Sequence, residues 1–151
     1  MPHRPDIGRL YDQCGASLYR YALMILADSA AAADVVHDVF VALLRQAAVD
    51  NLEHYVRRAV RNECYDVLRR RRTSSLADAP LLEPAGADDP DLRIALERAL
   101  RELPPEQREV VHLKVYEGMT FQEIADTIGD SINTVASRYR YALEKMRAHF
   151  G

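Results

Sequence analysis

The sequence predicts an all-α fold of two small helical domains joined by an acidic linker. Apolar residues recur every three or four positions through most of the 151 residues, the spacing that puts them on one face of a helix. Residues 74–90 interrupt this spacing with a segment rich in alanine, aspartate and proline, a composition typical of a linker. We therefore expect a first domain over 1–73, the linker over 74–90 and a second domain over 91–151.

Three helices are expected in the first domain. Apolar residues share one face over residues 7–25, about 30–46 and about 51–71. Asp28 and Ser29 both offer a cap for the second helix, and Asp50 with Glu53 has the pattern of a capping box for the third. The buried stripe expected on the third helix consists of Leu52, Tyr55, Val56, Ala59, Val60 and Val67.

The second predicted helix has a polar side, which we call the acidic face: Asp34, His37, Asp38, Val41 and Arg45. Its other side is apolar and is expected in the core: Val35, Val36, Val39, Phe40 and Leu43. Two carboxylates around a histidine could hold a metal ion or act as acid and base, but no third ligand stands at a readable spacing. A solvated face and a protein-docking face both remain open from the residues alone.

The third predicted helix carries a side that we call the basic face: Arg57, Arg58, Arg61, Asn62, Tyr65 and Arg69. Residues 51–73 hold seven arginines against three acids. Such a face can bind phosphates, while Asn62 and Tyr65 can hydrogen-bond to or stack on an unpaired base. A solvated basic face is the alternative, and the clustering on one side favours nucleic acid. Asp66 and Arg70, four residues apart, are expected to form an ion pair.

The second domain is expected to begin with two helices. Asp89 and Pro90 have the cap-then-proline order that starts a helix, and this helix ends before Pro104. Pro105 opens a fifth helix, which Gly118 ends. The apolar residues of the fifth helix supply a core for the two helices after it.

Residues 120–150 have the pattern of a helix-turn-helix. Thr120 and Glu123 form a capping box, Gly129 ends the first helix and Ser131 caps the second. An apolar stripe on the second helix is expected in the core: Ile132, Val135, Tyr139, Ala142, Leu143, Met146 and Phe150. Its other side, which we call the recognition face, presents Asn133, Thr134, Ser137, Arg138, Arg140 and Tyr141. These side chains can reach base edges in a major groove; the alternative is an ordinary amphipathic surface helix.

Composition bounds the remaining choices. The net charge of −3 argues against indiscriminate coating of nucleic acid, so DNA binding should be local. Two cysteines without a Cys-x-x-Cys pair do not suggest a disulfide framework, and Cys14 is interpreted as a small core residue. No apolar run approaches a membrane span or the core of a signal peptide. We expect a cytoplasmic protein that needs no metal or cofactor.

With these residues in hand, the chain resembles the sigma-70 family of bacterial RNA polymerase specificity subunits, in its two-domain, extracytoplasmic-function group. LPPEQREVVHLKVYEGMTFQEIADTIGDSINTVASRYRYALEKMR at 103–147 is similar to region four. DVVHDVF at 34–40 resembles regions 2.1 to 2.2, and YVRRAVRNECYDVLRRRR at 55–72 resembles regions 2.3 to 2.4. Their order and spacing, with the acidic linker between them, extend the resemblance over nearly the whole chain.

The resemblance implies a role for each face. The surface that docks on the coiled coil of the polymerase's largest subunit would consist of Asp34, His37, Asp38, Phe40 and Val41. Asn62 would line a pocket for a flipped base of the minus-ten element, and the arginines of the basic face would hold the DNA being opened. The recognition face would bind the minus-thirty-five element. The linker would resemble the segment that threads the RNA exit path.

The function implied is that of a transcription initiation factor, not an enzyme by itself, with core polymerase, promoter DNA and an anti-sigma factor as partners. Two departures from the family lie at Ala136 and Tyr141, where relatives often have cations; groove contacts should shift toward Ser137, Arg138 and Arg140. Many relatives also have a tryptophan, and this chain has none. One rival is a stand-alone, dimeric helix-turn-helix regulator, although the sequence offers no dimerisation helix. Another is an interaction protein or enzyme that uses Asp34, His37 and Asp38.

Overall fold

The computed structural model of the protein describes residues 6–46, 50–71, 80–82 and 89–150. Every regular element in these ranges is helical, which confirms the all-α prediction. The elements are α1 (Ile7–Leu26), α2 (Ser29–Leu43), α3 (Leu52–Arg70), α4 (Pro90–Glu102), α5 (Pro105–Val111), a π-helical turn (His112–Tyr116), α6 (Phe121–Ile128) and α7 (Ile132–Arg147).

The chain divides into two compact units, Met1–Leu76 and Ala77–Gly151. The division falls inside the segment expected to be a linker. Of that segment, residues 74–79 and 83–88 lie outside the described residues.

The first unit is a bundle in which α1, α2 and α3 all pack against one another. The apolar side predicted for α2 is buried in full, from Val35 to Leu43. On α3 the fully buried residues are Val56, Val60 and Cys64. Cys64 was absent from the predicted stripe, and Val67, which was in it, is only half-buried. The i, i+4, i+8 row therefore sets which side of α3 faces the core.

Helix α3 begins one residue later than the sequence pattern predicts. The cap is Asn51, whose side chain accepts a hydrogen bond from the His54 backbone N–H at 3.4 Å, so the predicted Asp50–Glu53 capping box is wrong. Asn51 has a φ of 48°, a left-handed conformation that asparagine tolerates better than most residues. Of the two caps that the sequence offers for α2, the structure uses Asp28, whose carboxylate accepts from the Ala31 N–H at 3.0 Å; Ser29 is the first helical residue.

A second role of Asp28 is to hold the end of α3. The guanidinium of Arg71 donates to the Asp28 carboxylate at 3.0 Å and to the Leu26 carbonyl at 3.1 Å. We call this arrangement the Arg71 clasp. Its two side chains are each 21% exposed, so water competes with the pair less than at an open surface. One arginine therefore joins the end of α1, the start of α2 and the end of α3.

In the second unit, α7 packs against α4, α5 and α6. The core includes Leu100, Val110, Leu113, Ile124 and Val135, all buried. The fifth helix does not run unbroken to Gly118 as predicted. It is α-helical to Val111 and continues as the π-helical turn, in which the Glu117 N–H donates to the His112 carbonyl at 3.1 Å. Gly118 comes next, with a φ of 69°.

Part of the predicted linker packs on α4. Leu81 is only 2% exposed, and the backbone N–H groups of Leu81 and Leu82 donate to the Glu97 carboxylate at 2.6 and 3.0 Å. Arg101 holds the same carboxylate at 3.2 Å. Residues 80–82 thus belong to the second unit although they lack helical periodicity.

The Arg71 clasp can be tested by unfolding. Arg71→Ala should lower the free energy of unfolding of the first unit by about 1–3 kcal/mol, because it removes charge-assisted hydrogen bonds and leaves the Leu26 carbonyl without its donor. Urea unfolding of the full chain, followed by circular dichroism, measures the change.

Arg70→Ala is the matched control, since the Arg70 side chain is exposed and pairs with Glu63 at 3.5 Å. It should change the free energy by no more than about 0.5 kcal/mol. Equal effects of the two substitutions would contradict the clasp.

Candidate nucleic-acid interface

Local hydrogen bonds fix the start of each helix of the helix-turn-helix. The Thr120 hydroxyl accepts from the Glu123 N–H at 3.1 Å, and the Glu123 carboxylate accepts from the Thr120 N–H at 2.9 Å, so the predicted capping box is confirmed. Gly129 ends α6 with a φ of 79°. Ser131 caps α7 by accepting from the Thr134 N–H at 3.1 Å. Together these bonds fix where the turn begins and where α7 starts.

The capping box also determines a protonation state. Hydrogen bonds from Thr120, first of all from its backbone N–H, hold the pKa of the Glu123 carboxyl below its usual value. The ionised carboxylate is the form that accepts these bonds. The cap is therefore complete at any pH above the ordinary pKa of a glutamate, and it is lost only as the pH falls through the lowered pKa of Glu123.

The recognition face lies on the side of α7 that its packing leaves open. Asn133, Arg140 and Tyr141 are exposed, and the other predicted contact residues, Thr134, Ser137 and Arg138, are half-buried. At 100° per residue, Asn133, Ser137 and Arg140 lie within about 60° of one another around the axis. One narrow strip of the helix therefore presents an amide, a hydroxyl and a guanidinium.

The two arginines on this face have neighbours that restrict their side chains. Arg138 donates to the Asp130 carboxylate at 2.9 Å, across the turn that precedes α7. The Arg140 guanidinium lies 5.3 Å from the ring centroid of Tyr141, within reach of a cation–π contact. The sequence pattern gave no sign that Asp130, in the turn, would hold one of the predicted DNA contacts.

The apolar stripe predicted for α7 is only partly core. Val135 and Ala142 are fully buried, and Tyr139 and Met146 are half-buried. Ile132, Leu143 and Phe150 are 44%, 46% and 46% exposed, so their placement in the core was wrong. The reason is that α4, α5 and α6 cover a narrower sector of α7 than the apolar stripe spans, and Phe150 lies beyond the end of the helix.

The basic face of α3 is assembled as its spacing predicts. Arg58, Asn62 and Arg69 are exposed, while Arg57, Arg61 and Tyr65 are half-buried. Each of the six residues therefore has part of its surface in solvent. Arg58, Asn62, Tyr65 and Arg69 lie on the side opposite the buried Val56–Val60–Cys64 row, and Arg57 and Arg61 lie between the two sides. This side has the composition that favours phosphates and unstacked bases.

Aromatic rings support the partly buried arginines. The Arg61 guanidinium lies 4.5 Å from the centroid of the Tyr65 ring, and that of Arg57 lies 5.7 Å from the centroid of the fully buried Tyr21. These contacts restrict the rotamers of both arginines while leaving their charge in place. The face is consequently more ordered than a set of freely rotating surface cations.

The ion pairs along α3 differ from the expected one. Asp66 pairs with Arg69 and Arg70 pairs with Glu63, so the predicted Asp66–Arg70 pair is wrong; Arg70 reaches only the Asp66 backbone carbonyl, at 3.3 Å. Spacings of three and four residues are both within reach on a helix, and the long Arg70 side chain also reaches Glu63, seven residues before it. Sequence spacing alone cannot choose between them.

Asn62 stands out on this face because its amide is not engaged. Among the described residues, none makes a hydrogen bond to the Asn62 side chain, although the side chain is exposed. An amide offers two donors and an acceptor in one plane. It can therefore pair with the edge of a base that has left its stack.

Four of the five residues predicted to contact the polymerase through α2 are open to solvent. Asp34, His37 and Asp38 are exposed and Val41 is half-buried. Phe40 is buried, and its ring packs edge-to-face with the Tyr11 ring, with 5.0 Å between the ring centroids. Phe40 thus lies beneath the face. The described residues contain no group of three histidine, cysteine or carboxylate side chains placed to hold a metal ion.

Two clefts flank α2. One, of about 420 Å³, lies between α1 and α2 and is lined by Tyr11, Asp12, Gly15, Tyr19, Val36 and His37 among others. The other, of about 230 Å³, lies between α2 and α3, with Asp38, Gln46, Tyr55 and Glu63 on its walls. The acidic face is therefore a ridge between two grooves. Tyr11, which the apolar spacing of α1 assigns to the core, is 52% exposed and borders the larger one.

Cys14 is not placed for chemistry. It is half-buried, and its thiol donates to the Leu10 carbonyl at 3.1 Å. Burial raises the pKa of the Cys14 thiol, so the reactive thiolate is disfavoured.

Comparison with known proteins decides the family. The profile of Sigma-70 region 2 matches residues 10–74, and that of Sigma-70, region 4 matches residues 93–146. The extracytoplasmic-function (ECF) RNA polymerase sigma factor SigL of Mycobacterium tuberculosis is 31% identical over an alignment of 153 positions, which covers 91% of this chain and 85% of SigL. The chain belongs to the sigma-70 family. ECF sigma factor SigE of Mycolicibacterium smegmatis is 29% identical, over 95% of this chain and 61% of SigE.

Two solved structures share the fold of this sigma factor. RpoE of Bartonella quintana, solved with the anti-sigma factor NepR, superposes with a TM-score of 0.75 at 22% identity, over 96% of both chains. CnrH, solved with the cytosolic domain of CnrY, gives a TM-score of 0.64 at 25% identity, over 94% of this chain and 85% of CnrH.

The predicted family is thereby confirmed. As an ECF sigma factor, the protein has the role of directing RNA polymerase to promoters, and sigma factors are regulatory DNA-recognition proteins rather than catalysts. Its α3 lies within the region 2 match, and the region 4 match covers α6 and all of α7 but its last residue. Among the described residues, no helix of this sigma factor is long and apolar enough to cross a membrane.

Proposed function

We infer that this sigma factor recognises two promoter elements and begins strand opening itself. The recognition face of α7 would bind the minus-thirty-five element, the basic face of α3 the minus-ten element, and the acidic face of α2 the polymerase. The observation that carries the proposal is the pair of exposed nucleic-acid-type faces, one in each compact unit and each inside a matched sigma region. A stand-alone operator binder would have no use for the first of them.

Strand opening is explained by the chemistry of the basic face. Removing a base from its stack costs a few kcal/mol, and a site that binds the extruded base returns part of that cost. The Asn62 amide offers hydrogen bonds to the base, while Tyr65 offers an aromatic surface beside it. The arginines bind backbone phosphates of the DNA that is being opened. The face then favours melted DNA over duplex, and no nucleotide hydrolysis is required.

Polymerase docking is supported by the shape and charge of α2. Asp34 and Asp38 lie one turn apart on a ridge between two clefts. A ridge of this kind fits between elements of a basic partner surface, and like charges on other surfaces would be repelled. Phe40 would contribute from below, because its contact with Tyr11 holds α2 against α1.

The partners proposed for the protein are core RNA polymerase, promoter DNA and an anti-sigma factor. The last is proposed because RpoE and CnrH are both sigma-type folds, one solved with an anti-sigma factor and the other with a cytosolic partner domain. A subunit of the polymerase works where the polymerase does, in the cytoplasm.

Run-off transcription tests the function as a whole. Purified chain, core polymerase and a promoter library should yield transcripts from templates that share two sequence elements, and core polymerase alone should not. Binding to a single operator-like site without polymerase, with no transcripts, would favour the stand-alone regulator.

Asn62→Ala tests the strand-opening step. Loss of the amide should slow promoter opening, measured by permanganate reactivity of unpaired thymines, by about tenfold, because one good hydrogen-bonding contact to a base is worth about 1–3 kcal/mol. Affinity of the holoenzyme for a closed duplex should change little.

Arg58→Ala is the control on the same face. It should weaken binding to duplex of any sequence, and the slope of log affinity against log salt concentration should fall in magnitude by about one. If Asn62→Ala reduced opening and duplex affinity equally, the base pocket would be excluded.

The acidic face is tested by charge reversal. Asp34→Arg combined with Asp38→Arg should abolish co-purification with core polymerase, because two attractive contacts become repulsive. The free energy of unfolding should stay within the range of surface substitutions, about 0.5 kcal/mol.

Asp50→Arg with Glu53→Arg gives the same change in net charge at exposed positions off the acidic face. That variant should still co-purify. Retained binding by the α2 variant would remove the acidic face from the polymerase interface.

A further inference from the structure

Ile132 and Ala136 form an apolar edge beside the recognition face. Ile132 is the first residue of α7 and is 44% exposed, although its neighbour Val135 is fully buried. Ala136 is half-buried and lies one turn later, with the two Cβ atoms about 5–6 Å apart. Arg140 continues the same row another turn on. The row therefore presents isoleucine, alanine and arginine in succession.

The position of Ile132 matters more than its exposure. Single exposed apolar side chains are common and need no explanation. This one lies on the first turn of the second helix of a helix-turn-helix, the part that contacts base edges when the helix enters a major groove. It also lies beside Asn133, whose amide is exposed. An apolar side chain at this place would be removed from water by the DNA and not by the protein.

The major groove offers one apolar group for such a side chain. Among the four bases, thymine alone carries a methyl group at C5, while the other groove edges are hydrogen-bond donors and acceptors. Ala136 has no side chain beyond its Cβ, so the helix backbone can approach the base edges closely at this turn. A longer cation at the same position would keep the helix further away.

We propose that Ile132, supported by Ala136, contacts the C5-methyl group of thymine in the upstream promoter element and so selects for thymine there. The proposal rests on the proposed binding of that element by α7 and adds the base that this edge reads. Arg140 and Asn133 supply hydrogen bonds to neighbouring bases or phosphates. The edge formed by Ile132 and Ala136 then reads an apolar group, whereas Asn133 and Arg140 beside it make polar contacts.

The test separates a methyl contact from general affinity. The preferred upstream element is first selected from randomised duplexes with the full chain assembled on core polymerase. Each thymine in that element is then replaced by 2′-deoxyuridine, which lacks only the C5-methyl group. Holoenzyme affinities for the two duplexes are compared by fluorescence anisotropy.

For the unsubstituted protein, the replacement of a thymine that Ile132 contacts should lower affinity about fourfold, the factor expected when a methyl-sized apolar contact is lost. One or two of the thymines should respond in this way. In Ile132→Ala the same replacements should change affinity by less than about 1.5-fold, because the contact is already gone and the two losses do not add. Ile132→Val, which removes one methyl group from an exposed side chain, should give an intermediate factor and keeps the fold unchanged.

Leu143→Ala is the matched control. Leu143 is 46% exposed on the same side of α7, but it lies about 16 Å further along the axis. It should keep the full deoxyuridine effect. Arg140→Ala should lower affinity for every duplex and also keep that effect.

Two results would overturn the proposal: equal deoxyuridine factors with and without Ile132, or a selected element in which no thymine responds. Both leave upstream binding intact, so they are distinct from failure of the proposed function. If α7 did not bind the upstream element at all, selection would yield no upstream preference, and Arg140→Ala would change nothing.

Discussion

The structure depends on burial of one apolar row from each helix. Isolated helices shorter than about 12–15 residues are marginal in water, and α5 and α6 have 7 and 8 residues. The second unit, which contains both, is therefore stable only as an assembly. Burial of Val56, Val60 and Cys64 sets the rotation of α3, and burial of Val135 and Ala142 sets that of α7. Once the rotations are set, the faces that stay open to solvent are the ones proposed to bind DNA.

The arginines on those faces are restricted before any ligand arrives. Arg61 stacks on Tyr65, Arg138 bonds to Asp130, and Arg69 pairs with Asp66. Ordering a long side chain on binding costs roughly 0.5–1.5 kcal/mol, so neighbours that already limit it reduce that cost. In the proposed DNA complex some carboxylates would be exchanged for phosphates, which would make binding conditional on salt and on a correct fit. This agrees with a chain whose net charge is −3.

The Arg71 clasp and the acidic face connect the two activities proposed for the first unit. Helix α2 carries the proposed polymerase face, and α3 carries the basic face. Arg71 ties the end of α3 to Asp28 at the start of α2. A polymerase that holds α2 would consequently also fix the direction of α3, through the core and through this clasp. Docking and base capture then share one rigid bundle.

The sequence by itself determined the helical class, the caps at Thr120 and Ser131, the family, and which residues share a face, because these depend on short-range spacing and local hydrogen bonds. Tertiary structure decided which part of each stripe is buried. Ile132 and Leu143 satisfy the apolar period of α7 yet stay exposed, since periodicity does not say how wide a sector the neighbouring helices cover. It also decided the partners of Arg71 and Leu81, which lie 43 and 16 residues away, because a local pattern holds no record of distant contacts.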